Sequence, residues 1–234
     1  MSPSVVPVRS NTRSSYVQLL DAIIRGRLAP GVRVVEAEVA ERLGISRTPA
    51  REVIQRLHQE GFLVAVGSGL RTQVAVAPLT VDDMQDLYSI MGALEGAAAR
   101  RAPRLKAAER RSLVKRLRIA NERFVKVAKG REHDLDELFE RHNAFHQEIV
   151  RSCATPRLLS LIERVRPQVD RYEYMYAPLV GPDHEATFAE HAAIIRTMRD
   201  GTPTAADHAL RANWLNSAER LQVAMERAGP RGVW

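Results

Sequence analysis

The chain has 234 residues, of which 45% are hydrophobic and 27% are charged, a balance typical of globular proteins and not of disordered chains. Its uninterrupted apolar runs are much shorter than the about 20 residues that a membrane-spanning helix needs, and its first residues lack the apolar core of a secretory signal. A single cysteine, Cys153, excludes a disulfide framework and a multi-cysteine metal site. We therefore expect a cytoplasmic protein with no membrane partner.

Positive charge is densest in the first third of the chain, whose formal net charge as a whole is +7. Residues 1–78 carry ten arginines against six acidic residues, whereas the remaining segment, twice as long, carries 25 basic and 22 acidic residues. Such an excess at one end favours a polyanionic partner such as nucleic acid. An arginine-rich genome would produce the same excess, so the charge alone does not identify the partner.

The segment 14–78 carries three helical patterns followed by two strand patterns. Each helical pattern ends at a glycine, the residue most often found just beyond a helix. The strand patterns are rich in β-branched residues and flank Gly67-Ser68-Gly69, a composition typical of a hairpin turn. This order predicts a winged helix-turn-helix domain, preceded by a flexible segment over residues 1–13. The helices are expected at 16–27, 36–43 and 47–60, and the strands at 62–66 and 73–77.

From Thr80 onward every pattern is helical, without a strand pattern or an internal repeat. Prolines and glycines divide the segment into about six helices, with a loop expected over residues 178–182. We therefore expect an all-α bundle over residues 79–229. The fold class is mainly α, with an N-terminal winged helix-turn-helix that includes a small β-hairpin and a C-terminal helical bundle.

The first domain resembles the GntR family of bacterial repressors, above all through the sequence ISRTPAREV at residues 45–53. Further matches lie at 23–31, 36–44 and 60–63. The predicted third helix would present its N-terminal end to a major groove, where arginine can bond guanine O6 and N7 and hydroxyls can reach phosphates. An isolated pair of arginines would instead indicate a solvated helix face. The resemblance implies that operator DNA is contacted by Arg47, Thr48 and Arg51, and further candidates are Ser46 and, at the hairpin tip, Gly69 and Arg71.

The second half resembles the FCD effector domain of the FadR subgroup, through LY at 87–88, ALE at 93–95, FH at 145–146 and EHAAI at 190–194. The resemblance implies a set of one Asp or Asn and three His that binds a divalent metal, which in turn holds a carboxylate ligand. It also implies a small carboxylic acid as the effector.

Three histidines lie on apolar helical stripes. His142 and His146 are one turn apart on one helix, the spacing at which two imidazoles meet one ion, and His191 lies on another stripe. The family pattern has Asp or Asn where this chain has His142, and His where it has Asn213. This set could still hold Zn²⁺, Ni²⁺ or Mn²⁺, and a metal-free polar pocket is the alternative.

Other polar residues of the second half have more ordinary explanations. The segment 166–176 is dense in aromatic and cationic residues, so Arg171 and Tyr172 either bind the carboxylate of an effector or belong to an ordinary packed helix. His133 and His184 lie near helix starts and are expected at the surface.

Two functions of different classes remain to be weighed. The first is a ligand-responsive transcription regulator, a homodimer on a palindromic operator. The second is a metal-dependent enzyme with an appended DNA-binding domain, which would need a general base beside the ion. Only Glu148 and Glu190 adjoin the histidine positions, and helical phase turns Glu148 away from the buried stripe. The chain also lacks the HExxH, GxSxG, P-loop and dinucleotide-binding sequences. We therefore expect a repressor and not an enzyme.

Overall fold

A computed structural model describes residues 8–67, 73–130, 134–181, 184–229 and 231–232, with side chains from Thr12 onward. The chain forms two compact units. The winged-helix unit contains the described residues up to Thr80 together with those after Ala228, and the helical unit is Val81–Ala228. No helix within the described ranges is long and apolar enough to cross a membrane.

The winged-helix unit combines three helices with a small antiparallel sheet. Its core is formed by apolar side chains from all three helices and the sheet, among them Leu19, Ile54, Leu57 and Phe62. Gly44 ends the second helix with a left-handed φ of 64°, and this permits the tight turn into the third helix. The elements are α1 Val8–Ile24, β1 Arg33–Val34, α2 Glu36–Leu43, α3 Arg47–Gln59, β2 Leu63–Val66 and β3 Gln73–Val76.

The sheet has the strand order β1-β3-β2, and Val74 of the central strand faces Val34 on one side and Ala65 on the other. The predicted winged helix-turn-helix fold and its hairpin are confirmed. The strand β1 was not predicted, because two residues are too few to show a period. Helix α1 begins at Val8, inside the segment expected to be flexible, because a polar helical turn without an apolar stripe leaves no periodic signal in the sequence.

Residues that follow the helical unit complete the winged-helix unit. The backbone N–H of Leu79 donates to the carbonyl of Arg231 at 3.0 Å. Gly232, with φ of 80°, lies so close to the turn between α1 and β1 that an added Cβ would come within 2.6 Å of the Gly31 nitrogen. Only glycine fits this position.

The helical unit is the predicted all-α bundle. Helices α4 and α9 approach closely because α4 presents glycines there: a Cβ on Gly92 would lie 3.1 Å from that of Trp214. A core of Leu113, Phe145, Ile149 and their neighbours fills the centre. The helices are α4 Val81–Ala99, α5 Ala107–Ala128, α6 Leu135–Cys153, α7 Pro156–Val180, α8 Glu185–Asp200 and α9 Pro203–Ala228, with a short 3₁₀ helix at Ala102–Arg104.

The expected loop over residues 178–182 is wrong over its first three residues, since α7 continues to Val180. The helix includes Pro167 and Pro178. Pro178 lies in the last turn and removes one backbone hydrogen bond there, while burial of the preceding Tyr172 and Tyr176 holds the helix in place. The helix ends at Gly181, whose φ is 108°.

Candidate DNA-binding surface and effector site

The N-terminal end of α3 is exposed. Ser46 occupies the N-cap position with an extended backbone, and its side chain makes no capping hydrogen bond. Arg47 and Thr48, the first helical residues, are exposed as well. The first amides of a helix lack intrahelical partners and carry partial positive charge, which makes this end a ready anion site. Three of the predicted DNA-contacting residues therefore lie side by side at a helix end suited to phosphates.

Arg51, one turn further along α3, is engaged by Glu36 at the start of α2. Its Nε donates to Oε1 of Glu36 at 2.8 Å and its Nη2 donates to Oε2 at 3.0 Å. This bidentate hydrogen bonding by Arg51 lowers the pKa of Glu36. The sequence analysis missed Glu36, because an acid in the first turn of a helix also fits an ordinary dipole role. The predicted Gly69 and Arg71 lie outside the described residues.

In the helical unit His142, His146 and His191 come together. One imidazole nitrogen from each lies within 4.8 Å of the others. His146 and His191 are buried and His142 is partly buried. The fourth predicted residue, Asn213, is buried on α9, where its amide Nδ2 donates to Oε2 of Glu190 at 2.8 Å.

Two polar residues, the buried Glu95 and the partly buried Asn121, orient these rings. Nδ1 of His146 is 2.8 Å from Oε2 of Glu95, which also accepts from Nε1 of Trp214 at 2.9 Å. Nδ1 of His191 is 2.9 Å from Oδ1 of Asn121. An oxygen acceptor at Nδ1 fixes the proton there and leaves the lone pair on Nε2. In the part of the chain that the structure describes, Nε2 of both rings is buried without a hydrogen-bond partner.

The electrostatics of the site keep His142 and His191 neutral and Glu95 charged. Burial lowers the pKa of His142 and of His191 well below the usual range. Burial would raise the pKa of Glu95. The interaction with His146, the charge of Arg166 and the hydrogen bond from Trp214 instead hold the pKa of Glu95 below its ordinary value. Neutral imidazoles beside a carboxylate that fixes a ring are the donor set that divalent transition metals favour.

A cavity of about 300 Å³ opens beside His142. Its polar residues are themselves held by neighbours. Arg220 donates from both terminal nitrogens to Glu190, at 2.8 and 3.0 Å, and Glu173 accepts from Nη2 of Arg166 at 3.0 Å. The wall is mainly apolar and includes Tyr88, Phe124, Leu135, Leu138, Phe139, Tyr174, Ala177, Pro178, Val180 and Leu221.

Arg171 and Tyr172, predicted to bind an effector, are not among the described residues that line this cavity. Both are buried. Tyr172 donates its hydroxyl hydrogen to Asp83 at 2.6 Å, and Arg171 donates to Gln168 at 3.3 Å. The aromatic and cationic composition of residues 166–176 did not indicate which neighbours these two side chains contact.

Two further histidines, His184 and His133, were expected at the surface. His184 is partly buried and lines the cavity, with its ring 6.1 Å from that of Phe124. A helix-start position suggested exposure, but the ring packs against those of Phe124 and Phe188. His133 lies outside the described residues.

Both glutamates considered as general bases are engaged. Glu148 accepts from Nε of Arg116 at 2.7 Å. Glu190 accepts from Arg220, Asn213 and Asn216. Burial would raise the pKa of Glu190, but these hydrogen bonds hold it below the ordinary value. A carboxylate with a lowered pKa is a poor proton acceptor near neutral pH.

The chain combines an exposed recognition helix and a β-wing with an all-α unit that encloses a cavity. This combination defines a class of protein, a winged-helix regulator with a sensory domain. Comparison with known protein families agrees with this class. The family described as "Bacterial regulatory proteins, gntR family" matches residues 12–71, and the FCD domain matches residues 86–215. The chain belongs to the GntR family of bacterial transcription regulators and carries a C-terminal FCD domain.

Relatives with curated descriptions are regulators of the same kind. An HTH-type transcriptional regulator from the TAR-I ttuE-ttuC' intergenic region of Agrobacterium vitis is 31% identical over 60% of this chain and 79% of its own length. The HTH-type transcriptional repressor RspR of Escherichia coli K12 is 28% identical over 83% of this chain and 82% of its own.

Solved structures share the fold. McbR/YncC of E. coli superposes with a TM-score of 0.67 at 19% identity, covering 91% of this chain and 97% of that one. A GntR regulator from Rhodococcus sp. RHA1 gives a TM-score of 0.67 at 20% identity, over 92% and 99% of the two chains.

Proposed function

We propose that this protein is a cytoplasmic repressor that binds a palindromic operator as a homodimer and is controlled by a small carboxylic acid. Residues 14–78 form its DNA-binding domain, and residues 79–229 bind the effector and hold the dimer together. A symmetric dimer is proposed because one recognition helix reads only a few base pairs, and a second copy doubles the sequence that is read.

The observation that carries the DNA-binding role is the exposed N-terminal end of α3 with Ser46, Arg47 and Thr48 at its surface. Arg47 and Arg51 are assigned to base edges, where a guanidinium can bond guanine in bidentate fashion. Ser46 and Thr48 are assigned to phosphates. Arg51 first has to exchange Glu36 for DNA, and because this ion pair is exposed, the exchange costs little.

The effector site is proposed to include a divalent ion, Zn²⁺, Ni²⁺ or Mn²⁺, held by His142, His146 and His191 with Asn213 close by. The support is the pair of buried Nε2 atoms without partners, since buried polar atoms are rarely left unsatisfied. When bound, the ion supplies a positive charge that takes a carboxylate oxygen. Glu95 and Asn121 hold the rings in the tautomer that presents Nε2.

The regulatory step is a coupling between effector binding and operator binding. A coupling free energy of about 1–3 kcal/mol changes operator affinity by about 5- to 150-fold. The enzyme alternative receives no comparable support, because Glu148 and Glu190 are both ion-paired.

Selection of operator DNA from a random library tests this function. We expect a palindromic sequence, bound by two copies of the chain in light scattering. At fixed salt, Arg47→Ala and Arg51→Ala should each weaken binding by about 5- to 150-fold. Lys126→Ala, which removes an exposed cation in the helical unit, is the control and should leave binding unchanged. A monomer on DNA, or unchanged affinity in both arginine variants, contradicts the proposal.

A further inference from the structure

The cavity wall is built for an apolar body. The rings of Phe139 and Tyr174 pack at a tilt of 41° with centroids 4.0 Å apart, and Phe124, Leu138 and Leu221 continue the same lining. A ligand hydroxyl that contacts this wall loses its hydrogen bonds to water and gains no new partner, which weakens binding by about tenfold for each hydroxyl. Polyhydroxylated acids are therefore disfavoured by this wall.

The positive charge of the cavity suits one carboxylate, bound between Arg220 and the ion proposed at His142. Among the described lining residues Arg220 carries the one permanent positive charge, and Glu190 already takes two of its N–H groups. The guanidinium group of Arg220 has further N–H groups that can bind a single anion. Arg220 and the adjoining His142 thus define one acidic end for the ligand.

Glu173 gives the cavity an acceptor. It is only 6% exposed, lines the cavity and accepts one hydrogen bond from Arg166. A carboxylate can accept about four, so Glu173 can accept another from a ligand. The same negative charge repels a second carboxylate.

We infer that the cavity takes a monocarboxylic acid with an apolar, ring-sized body and one hydrogen-bond donor, a hydroxyl or an amine, that faces Glu173. This inference rests on the proposed function and specifies its effector. At about 300 Å³ the cavity is at the lower end of small-molecule sites, which suits a body of one ring. Sugar acids are disfavoured by the wall and dicarboxylic acids by Glu173.

Isothermal titration of the full-length protein, with and without Zn²⁺, tests this inference with five probes: phenylacetate, 3-hydroxyphenylacetate, 4-hydroxyphenylacetate, succinate and D-gluconate. Phenylacetate should bind at least tenfold more tightly than succinate or gluconate. The better of the two hydroxylated probes should bind about tenfold more tightly than phenylacetate, because its hydroxyl hydrogen-bonds to a charged acceptor.

Two matched variants on α7 locate the effect. Glu173→Gln should reduce the advantage of the hydroxylated probe by about tenfold, whereas the exposed Glu163→Gln should retain it. If Glu173→Gln does not fold, the ranking of the probes on the wild-type protein decides. Tighter binding of succinate or gluconate, a hydroxyl advantage unchanged in Glu173→Gln, or no binding of any probe overturns the inference. Operator binding in the same samples reports the proposed function separately.

Discussion

Charged groups of the winged-helix unit and of the helical unit stand in opposite environments. Arg51 and Glu36 form their ion pair at the surface, with 62% and 37% of the side chains exposed. Arg166 and Glu173 form theirs in the helical unit with 16% and 7% of the side chains exposed. An exposed pair exchanges partners readily, while a buried pair is fixed because separation leaves an uncompensated charge. The first arrangement suits a surface that takes up and releases DNA, and the second suits a preorganised ligand site.

The strongest test of this contrast removes a largely buried cation. Arg166 contacts Asn143, Asp170 and Glu173, and lies 5.4 Å from the ring of Trp214. Arg166→Met should lower the free energy of unfolding by about 3–5 kcal/mol, because two acidic groups lose their partner. Denaturation in urea measures this.

Arg164→Met, at an exposed position of the same helix, is the control and should change stability by less than about 0.5 kcal/mol. Equal losses in the two variants would mean that the buried network contributes nothing beyond an ordinary surface charge.

Metal binding sharpens the contrast, since it depends on the fixed orientation of the rings. Glu95→Gln should weaken Zn²⁺ or Ni²⁺ affinity by about 10- to 100-fold, and His146→Ala should abolish the rise in melting temperature that either ion produces. Elemental analysis and thermal melts provide the readouts, with the exposed Glu122→Gln as a control. A wild-type protein that purifies without metal and is stabilised by neither ion would identify the histidines as a polar pocket.

The exposed pair should behave differently. Glu36→Gln should leave the melting temperature unchanged and tighten operator binding by about threefold, because Arg51 is released and a negative charge is removed. Fluorescence anisotropy at two salt concentrations measures the effect, which should shrink at the higher one. Glu38→Gln removes an exposed charge from the same helix without touching Arg51. The same gain in both variants would refute a specific competition between Glu36 and DNA.

The pH dependence of the metal-free protein gives the smallest effect. Burial lowers the pKa of His142 and His191. Below about pH 6.5, the ordinary pKa of histidine, these two residues therefore take up protons in the unfolded chain but not in the folded chain. Stability should therefore fall as the pH drops below about 6.5. Burial raises the pKa of Asp170 to about 6 and acts in the opposite direction.

Variants separate these two contributions. In urea denaturation at pH 7.5 and 5.5, the free energy of unfolding of His142→Asn should fall less, or rise more, at the lower pH than that of the wild type. His58→Asn, which changes an exposed histidine, should follow the wild type. Identical pH profiles for all three proteins would exclude the contribution of buried imidazole.

Sequence reasoning succeeded where a signal is local. The glycine-ended helices, the hairpin and the i, i+4 pair His142 and His146 all follow from spacings of a few residues. The two-residue β1 carries no such signal. Glu95 and Asn121 were missed as ring-orienting residues because they lie 51 and 70 residues from the histidines they contact. An acid on the apolar stripe of α4 was the available clue, since buried acids are rare without a partner.

The contact between Leu79 and Arg231 has a consequence for biosynthesis. The 148 residues of Val81–Ala228 separate the two strands of this bridge in the order of translation. At about 5–20 residues per second, the ribosome needs about 7–30 s to make them. During that time the winged-helix unit exists without the residues that seat against Leu79 and Gly31. A nascent chain therefore acquires its complete winged-helix unit only after its helical unit has been made.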